Sequence, residues 1–417
     1  MFKKVLYNTG AQTLGKIVTA SATLLITLII GRSLGPALFG EFTKIFVYVG
    51  YFYVLVDFGL NSIFVKESQD KNTSNLFKSL LGLRLVLATQ LTLLAIIISF
   101  FLPYDAQTLT GFSPLVKTGI IIASLTILTQ ALFATGSAFF QKNLRYDLSA
   151  VATILGSMVM VAITFILFFK TRLLLPYIFV YVIGGATYTA ASYYLIWRKF
   201  RQNLRPTYEL NQLKTLLSLS WPIGIALVLN LLYFRIDVLI LANFRESAEV
   251  GLYGLGYQFF QAGLAVPIFF ANALYPILAR QYSQKSSEFK KTIKTWSVYL
   301  FLFSLALTVF LIAISYLIPV LYDVRFAGSA TALRILSIGM PAFFMSALIW
   351  HLLIIYGRQK LLIYIYAIGA VFNLISNLIL IPRFGYLAAA TTTVVSEILI
   401  LVLLLGALKG INFSKRS

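Results

Sequence analysis

The stretch LVLATQLTLLAIIISFFL, residues 85–102, decides the fold class of this chain. It carries no charged residue and shows no strict alternation of polar and apolar residues. A helix crosses the hydrocarbon of a bilayer in about 20 apolar residues, whereas a barrel strand alternates over about ten. The stretch therefore predicts a transmembrane α-helix.

The rest of the chain repeats this pattern. Of its 417 residues 59% are hydrophobic and 11% are charged, against about 45–50% apolar and about 25% charged in soluble domains. The composition predicts an all-α integral membrane protein with about twelve transmembrane helices. The predicted spans are 11–31, 41–65, 79–102, 116–139, 149–169, 174–197, 214–242, 249–278, 295–320, 329–356, 361–381 and 386–408.

The positive charge indicates orientation rather than nucleic-acid binding. The formal charge is +21, but the cations are scattered between apolar spans and form no basic domain. If the N-terminus is inside, 24 of the 34 Lys and Arg residues fall in inner segments and nine in outer segments. Because inner loops are enriched in Lys and Arg, we predict a multi-pass protein of the cell (inner) membrane with both termini cytoplasmic.

The rare residues limit the available chemistry. Cysteine is absent and His351 is the only histidine, so disulfide frameworks, zinc clusters and His-based triads lack their components. We expect no catalytic residue, no metal and no cofactor. Two interpretations of His351 stay open, a hydrogen-bonded packing residue or a proton relay.

The chain is predicted to be duplicated. The basic link near residue 205 separates a lobe at 1–200 from a lobe at 214–417, with a cytoplasmic linker at 201–213. Residue pairs at an offset of 211 match between the halves: Gly40 with Gly251, Phe42 with Tyr253, and Asn61 with Asn272. Since internal repeats around a midplane site are common in transporters, we predict two pseudo-symmetric six-helix lobes around a central cavity.

The segment GAQTLGKI, residues 10–17, imitates a phosphate-binding P-loop. A P-loop needs Ser or Thr after the lysine and a strand before the glycines. Position 17 is Ile, and residues 1–10 show no strand pattern. The segment is therefore predicted to begin the first membrane helix, with Lys16 about one turn inside it.

Charged residues inside the predicted spans mark the candidate site, because such residues are costly in hydrocarbon. The excess of cations predicts an anionic substrate, since Lys and Arg hold phosphate and carboxylate. We predict that Lys16, Lys44, Arg84 and Arg235 line a substrate-binding cavity, and that Asp57, Asp237 and Glu397 serve gating or ion coupling. The alternatives are snorkelling for Lys16, interhelical ion pairing for Arg235 and Asp237, and a neutral hydrogen-bond network for Glu397.

Five stretches carry a family resemblance: GRSLGPALFGEFTKIFVYVGYFYVLVDFGLNSIFVKE (31–67), RIDVLILANFRESAEVGLYGLGYQ (235–258), LYPILAR (274–280), GRQK (357–360) and NLILIPRFGYLAAATTTVVSE (377–397). The chain resembles the polysaccharide flippases of the multidrug/oligosaccharidyl-lipid/polysaccharide exporter superfamily. The resemblance implies a non-enzymatic flippase that moves a polyprenyl-(pyro)phosphate-linked oligosaccharide from the cytoplasmic to the outer leaflet by alternating access. It also implies contacts with membrane lipids, a coupling ion (proton or sodium), and other proteins of polysaccharide assembly.

Two other functions stay open. A multidrug exporter of the same superfamily would favour an acidic, aromatic cavity for cationic drugs, which the intramembrane cations disfavour. A membrane glycan polymerase would need a sizeable loop at the membrane surface, and the longest links hold about 16 residues.

Overall fold

The computed structural model describes the backbone of residues 2–68 and 73–410. It describes the side chains of residues 15–68 and 73–410. The described chain is almost entirely helical, which confirms the predicted all-α multi-span fold. Five cations that enter the orientation count lie outside the described side chains: Lys3, Lys4, Lys71, Lys415 and Arg416.

The chain forms two compact units, Met1–Phe234 and Arg235–Ser417, called here the first and the second unit. Their division falls inside a helix, and the predicted lobe boundary at 201–213 stays a prediction. In chain order the helices are α1 (Phe2–Asp57), α2 (Leu60–Glu67), α3 (Thr73–Phe101), α4 (Pro114–Lys142), α5 (Tyr146–Lys170), α6 (Leu174–Phe200), α7 (Leu210–Phe244), α8 (Ser247–Ser283), α9 (Glu288–Ser315), α10 (Ile318–Leu321), α11 (Ala327–Ile338), α12 (Met340–Ile355) and α13 (Gln359–Lys409), with a 3-10 turn at Val324–Phe326.

The predicted apolar stretches fall on these helices, apart from short breaks. Nine candidate spans are long and apolar enough to cross a membrane in the described part of the chain, or ten if the bent pair α11–α12 forms one span. Two of the nine are 53 and 51 residues long, more than twice the length that about 30 Å of hydrocarbon requires. Dividing each of those two would give the predicted twelve spans, and that count stays a prediction.

Both long spans are interrupted at a glycine. Gly35 has φ 71° and is followed by Pro36, which cannot donate a backbone hydrogen bond. Gly385 has φ 61°, and a Cβ there would lie 2.0 Å from Glu249 Oε2. That carboxylate accepts the N–H of Tyr386 at 3.0 Å, so Glu249 satisfies a backbone donor next to the break.

The connection between α3 and α4 contains a small antiparallel hairpin that the sequence did not predict. Its strands are β1 (Tyr104–Asp105) and β2 (Thr110–Gly111). Gly111 has φ 82°, and a Cβ there would lie 2.3 Å from the carbonyl oxygen of Pro103. Strands of two residues are too short to show the alternation of polar and apolar residues that identifies a strand in a sequence.

The predicted linker is docked on α3 of the first unit. The backbone N–H of Thr207 donates to the carbonyl of Lys78 at 3.1 Å. The side chain of Gln202 donates to Ser74 Oγ at 2.9 Å. Gly82 makes the approach possible, because a Cβ there would lie 2.1 Å from the Thr207 carbonyl oxygen. The linker therefore has a fixed path over its first residues.

Each unit has its own packed interior. In the first unit, α1 packs against α4 and α5, and a buried apolar cluster contains the fully buried rings of Phe64, Phe77 and Phe140. In the second unit, α12 packs against α8, α9 and α13. Large apolar side chains such as Phe101 and Phe169 stay exposed, as expected for surfaces that contact lipid.

Candidate functional site

The P-loop imitation is part of a helix. Residues 10–17 lie within α1, and no strand precedes them in the described backbone from residue 2 onward. The nucleotide interpretation of this segment is therefore excluded by its conformation. The side chain of Lys16 is exposed, which is compatible with both of its predicted roles.

Arg84 on α3 is fully buried and paired within the first unit. Its Nη2 donates to Asp57 Oδ1 at 2.8 Å and to Asn61 Oδ1 at 2.9 Å. Its Nη1 donates to the carbonyl of Ala131 at 3.3 Å. An unpaired buried charge is strongly destabilising, so Asp57 and Asn61 stabilise the guanidinium. Asp57 and Asn61 therefore meet at one guanidinium although they lie on different helices.

A helix break separates the two partners of Arg84. Phe58 and Gly59 adopt left-handed conformations, with φ 39° and 76°, so α1 ends at Asp57 and α2 begins at Leu60. The first half of α7 packs on this break. A Cβ on Gly59 would lie 2.6 Å from Ile223 Cγ2, and one on Gly224 would lie 2.4 Å from the Phe58 ring. The glycines therefore permit the contact on both sides.

Lys44 holds the hairpin. It is 1% exposed, and its Nζ donates to the carbonyl of Gly111 at 2.7 Å. One turn earlier on α1, Glu41 accepts a hydrogen bond from the Ser113 hydroxyl at 2.9 Å. These two contacts tie the α3–α4 connection to α1. A role of Lys44 in substrate binding stays a prediction.

Arg235 has different surroundings. Its Nη2 donates to Gln261 Oε1 at 2.6 Å, and its guanidinium carbon lies 4.9 Å from the centre of the Tyr257 ring. The side chain is half-buried. No ion pair joins Arg235 to a carboxylate among the described residues. Its charge is thus oriented by an amide and an aromatic face without being neutralised by an ion pair.

Asp237 lies two residues further along α7 and is buried. It accepts hydrogen bonds from the hydroxyl of Tyr253 and, at 3.5 Å, from that of Thr393. Its other oxygen accepts its neighbour's backbone N–H, that of Val238, at 2.7 Å. Arg235 and Asp237 therefore use different partners, which confirms that they do not simply pair with each other.

Glu397 is buried on α13, next in sequence to a member of a hydrogen-bonded polar row. It is 2% exposed, and its neighbour Ser396 accepts a hydrogen bond from Asn373 at 3.2 Å. Asn377 in turn donates to Asn373 at 3.0 Å. The two alternatives for Glu397, a neutral hydrogen-bond network and a coupling role, both stay predictions.

His351 bridges two helices of the second unit. Its Nδ1 lies 2.8 Å from the carbonyl oxygen of Ala347, and its Nε2 lies 3.3 Å from Asn272 Oδ1. The ring also packs against Trp350. These contacts fit the packing interpretation.

Sequence reasoning missed the residues that orient these charges. Tyr257 and Gln261, which orient Arg235, were not predicted, although Tyr253, Tyr257 and Gln261 recur at four-residue spacing and so share a helix face. That spacing was the available signal. In the described part of the chain, no three His, Asp or Glu side chains form a group that could hold a metal ion.

Two family models match the sequence. The model for polysaccharide biosynthesis proteins matches residues 5–282, and the MatE model matches residues 222–379. The chain is 24% identical over 294 residues to a Shigella dysenteriae protein named as a candidate O-antigen transporter, covering 69% of this chain and 72% of that protein. It is 30% identical over 158 residues to an uncharacterized membrane protein of Methanocaldococcus jannaschii, covering 37% of this chain and 29% of that protein's length.

Solved structures share the fold over nearly the whole chain. The lipid II flippase MurJ in an inward closed conformation has a TM-score of 0.77 at 16% identity, covering 97% of this chain and 87% of MurJ. An inward-facing multidrug resistance transporter of the MATE family has a TM-score of 0.74 at 14% identity, covering 94% of this chain and 96% of that transporter. At these identities the likeness concerns the fold.

The fold and both family models define a transporter of the multidrug/oligosaccharidyl-lipid/polysaccharide exporter superfamily. Within this superfamily, the chain belongs to the family of polysaccharide biosynthesis proteins, whose model matches more than half of its residues. The resemblance predicted from the sequence is thereby confirmed.

Proposed function

We propose that this protein is a flippase that moves a polyprenyl-(pyro)phosphate-linked oligosaccharide from the cytoplasmic to the outer leaflet by alternating access. The family membership supports a role in polysaccharide assembly. The names of two similar proteins, an O-antigen transporter and a lipid II flippase, support a lipid-linked cargo. We place the protein in the cell membrane with both termini cytoplasmic, in contact with membrane lipids and other assembly proteins.

The substrate assignment depends on one observation, the surroundings of the Arg235 side chain. A glycan headgroup with its phosphate cannot cross hydrocarbon unaided, whereas a polyprenyl tail remains in lipid. A cation that is oriented but not neutralised can replace water around the phosphate. Arg235 meets this condition through Gln261 and Tyr257. Arg84 is already paired with the Asp57 carboxylate, and Lys44 is buried against the carbonyl of Gly111. Lys16 is a further candidate contact.

We propose Asp237 as the principal ion-coupling group, with Asp57 and Glu397 as further candidates. The Asp237 carboxylate is buried among hydroxyl groups, with no cation in ion-pair contact among the described residues. Such a carboxylate gains stability when a proton or sodium ion binds it. A change in its occupancy therefore alters the energy of the packed helices around it.

A multidrug exporter is the second candidate, favoured by the MatE match over residues 222–379 and by the MATE fold. Purified protein in proteoliposomes separates the two functions. One set of vesicles carries a lipid-linked oligosaccharide and the other a cationic dye. Transfer of the glycan to the opposite leaflet, measured with a lectin, supports the flippase. Transport of the dye alone would refute it.

Replacing Arg235 tests the site directly. We expect Arg235→Ala to lower the flipping rate about tenfold or more, because a hydrogen bond to a charged group contributes about 1.5–3 kcal/mol. Arg235→Lys should retain part of the activity. The measurement is surface polysaccharide in cells, together with mass spectrometry of the undelivered lipid-linked intermediate.

Arg198→Ala is the matched control, because Arg198 also lies over a tyrosine ring, that of Tyr194 at 5.9 Å, but on an exposed helix end. The Arg198→Ala protein should flip the lipid-linked oligosaccharide at the wild-type rate. Normal surface polysaccharide in Arg235→Ala cells with unchanged protein level would remove Arg235 from the site.

A further inference from the structure

One face of α8 contacts both Asp237 and Arg235. Tyr253, Tyr257 and Gln261 are spaced four residues apart, so they lie above one another on this face. The hydroxyl of Tyr253 donates to Asp237 at one end of the row. Gln261 and Tyr257 hold the guanidinium of Arg235 at the other end.

The middle of the row is a packed pair of rings. The centroids of Tyr253 and Tyr257 lie 5.5 Å apart, with 47° between the ring planes. Their side chains are 0% and 1% exposed. Close-packed interiors transmit a displacement because the side chains have no free volume. A shift of the Tyr253 ring therefore moves the Tyr257 ring.

We propose that Tyr253 and Tyr257 are positioning residues that couple the occupancy of Asp237 to the orientation of Arg235. A cation bound at Asp237 competes with the Tyr253 hydroxyl for the carboxylate oxygen. The displaced ring shifts Tyr257 and with it the face over which Arg235 lies. This inference rests on the proposed function, in which Arg235 binds the phosphate of the cargo.

The coupling is reciprocal by thermodynamic linkage. If ion binding changes the affinity for the phosphate, phosphate binding changes the affinity for the ion by the same factor. The row would thus join the cargo site to its energy source within the second unit. Its rival is direct transmission through α7, because Arg235 and Asp237 are only two residues apart on that helix.

A double-mutant cycle separates these two routes. The ligand is decaprenyl monophosphate, and its Kd is measured with the purified full-length chain in detergent. Asp237→Asn imitates the neutralised carboxylate without specifying the ion. We expect it to change the Kd about fivefold or more in the wild-type background, the usual size of coupling between sites.

The tyrosine variants then report the route. In a Tyr253→Phe background, which keeps the ring but removes the hydroxyl, Asp237→Asn should change the Kd less than about twofold. Tyr257→Leu should weaken binding about three- to tenfold by removing the aromatic face under Arg235, and should also abolish the response.

Phe260→Leu is the matched packing control. The ring centroid of Phe260 lies 5.7 Å from that of Tyr257 and 5.4 Å from that of Phe343. Removing the Phe260 ring therefore disturbs the packing around Tyr257. Phe260→Leu should keep the full response to Asp237→Asn. Size-exclusion profiles and melting temperatures identify any variant that has lost its fold.

The outcomes decide between the claims. A full response that persists in Tyr253→Phe means that α7 transmits the change, and it overturns the proposal. If Asp237→Asn leaves the Kd unchanged in the otherwise wild-type protein, the proposal is also overturned. If Arg235→Ala leaves the Kd unchanged, the proposed phosphate contact itself fails, and this result is independent of the tyrosine variants.

Discussion

Three intramembrane cations look alike in the sequence and differ in what they contact. Arg84 donates to a carboxylate, Lys44 to a backbone carbonyl and Arg235 to an amide. Arg84 is paired with a carboxylate and Lys44 is fully buried, so both add order to their own unit, whereas the half-buried Arg235 is held by neutral groups and keeps its charge for a ligand. Side-chain surroundings therefore separate structural cations from candidate binding cations.

The Arg84 network gives a stability prediction. Arg84→Met should destabilise the protein by about 3 kcal/mol, because it leaves the Asp57 carboxylate without its partner in a largely apolar setting. The Asp57 side chain is 32% exposed, so we take the lower end of the range for broken buried pairs. The melting temperature of the detergent-solubilised protein measures the effect.

A second substitution isolates the charge. Combining Arg84→Met with Asp57→Asn should recover part of the lost melting temperature, since it removes the unpaired carboxylate. Arg198→Met, an exposed arginine, should change little. An Arg84→Met protein as stable as the wild type would show that the buried pair contributes no net stability.

At the scale of elements, glycines decide where helices meet. Gly59 and Gly224 let the α1–α2 break and α7 approach each other, and Gly82 lets the linker lie on α3. The contact atom at Gly82 is a backbone oxygen, which has no rotamer to change. Its replacement must move a chain segment rather than a side chain.

Gly82→Ala should therefore detach the linker from α3. Its Cβ would lie 2.1 Å from the Thr207 carbonyl oxygen. We expect faster cleavage by trypsin after Arg201, measured on the purified protein by gel and mass spectrometry. The linker then lacks the hydrogen bond from Thr207 to Lys78.

Gly50→Ala is the control, because a Cβ at this helical glycine meets nothing within 4 Å. It should keep the wild-type cleavage rate and gain up to about 1 kcal/mol of helix stability. If both variants are cleaved at the wild-type rate, the inference that the linker packs closely on α3 is wrong.

At the scale of the whole molecule, charge bias predicts orientation. The hairpin around Gln107 should face outward and the linker around Asn203 should face the cytoplasm. The chain contains no cysteine, so single cysteines can be introduced without a background. Gln107 and Asn203 are exposed.

We expect Gln107→Cys to react with a membrane-impermeant maleimide in intact cells, whereas Asn203→Cys should react only after permeabilisation. Labelling is measured by fluorescence of the purified protein. The reverse pattern would invert the orientation and, with it, the proposed direction of transport.

The sequence by itself determined the class of fold and the approximate position of every long helix. Hydrophobicity over about 20 residues is a local property, and composition reports it without knowledge of any contact. The motifs around residues 31–67 and 377–397 also sufficed for the family, which the family model confirmed. The seven candidate charges followed from the cost of placing them in hydrocarbon.

Only the tertiary structure decided what those charges contact. The pairing of Arg84 with Asp57, the contact of Lys44 with the hairpin, and the row from Asp237 to Arg235 along α8 depend on residues far apart in the chain. The predicted spans already stop on either side of Gly35 and Gly385, and the structure adds that the backbone turns there through a positive φ at the glycine itself. Hydropathy depends on residue type alone, whereas pairing and chain direction depend on where the folded backbone places each residue.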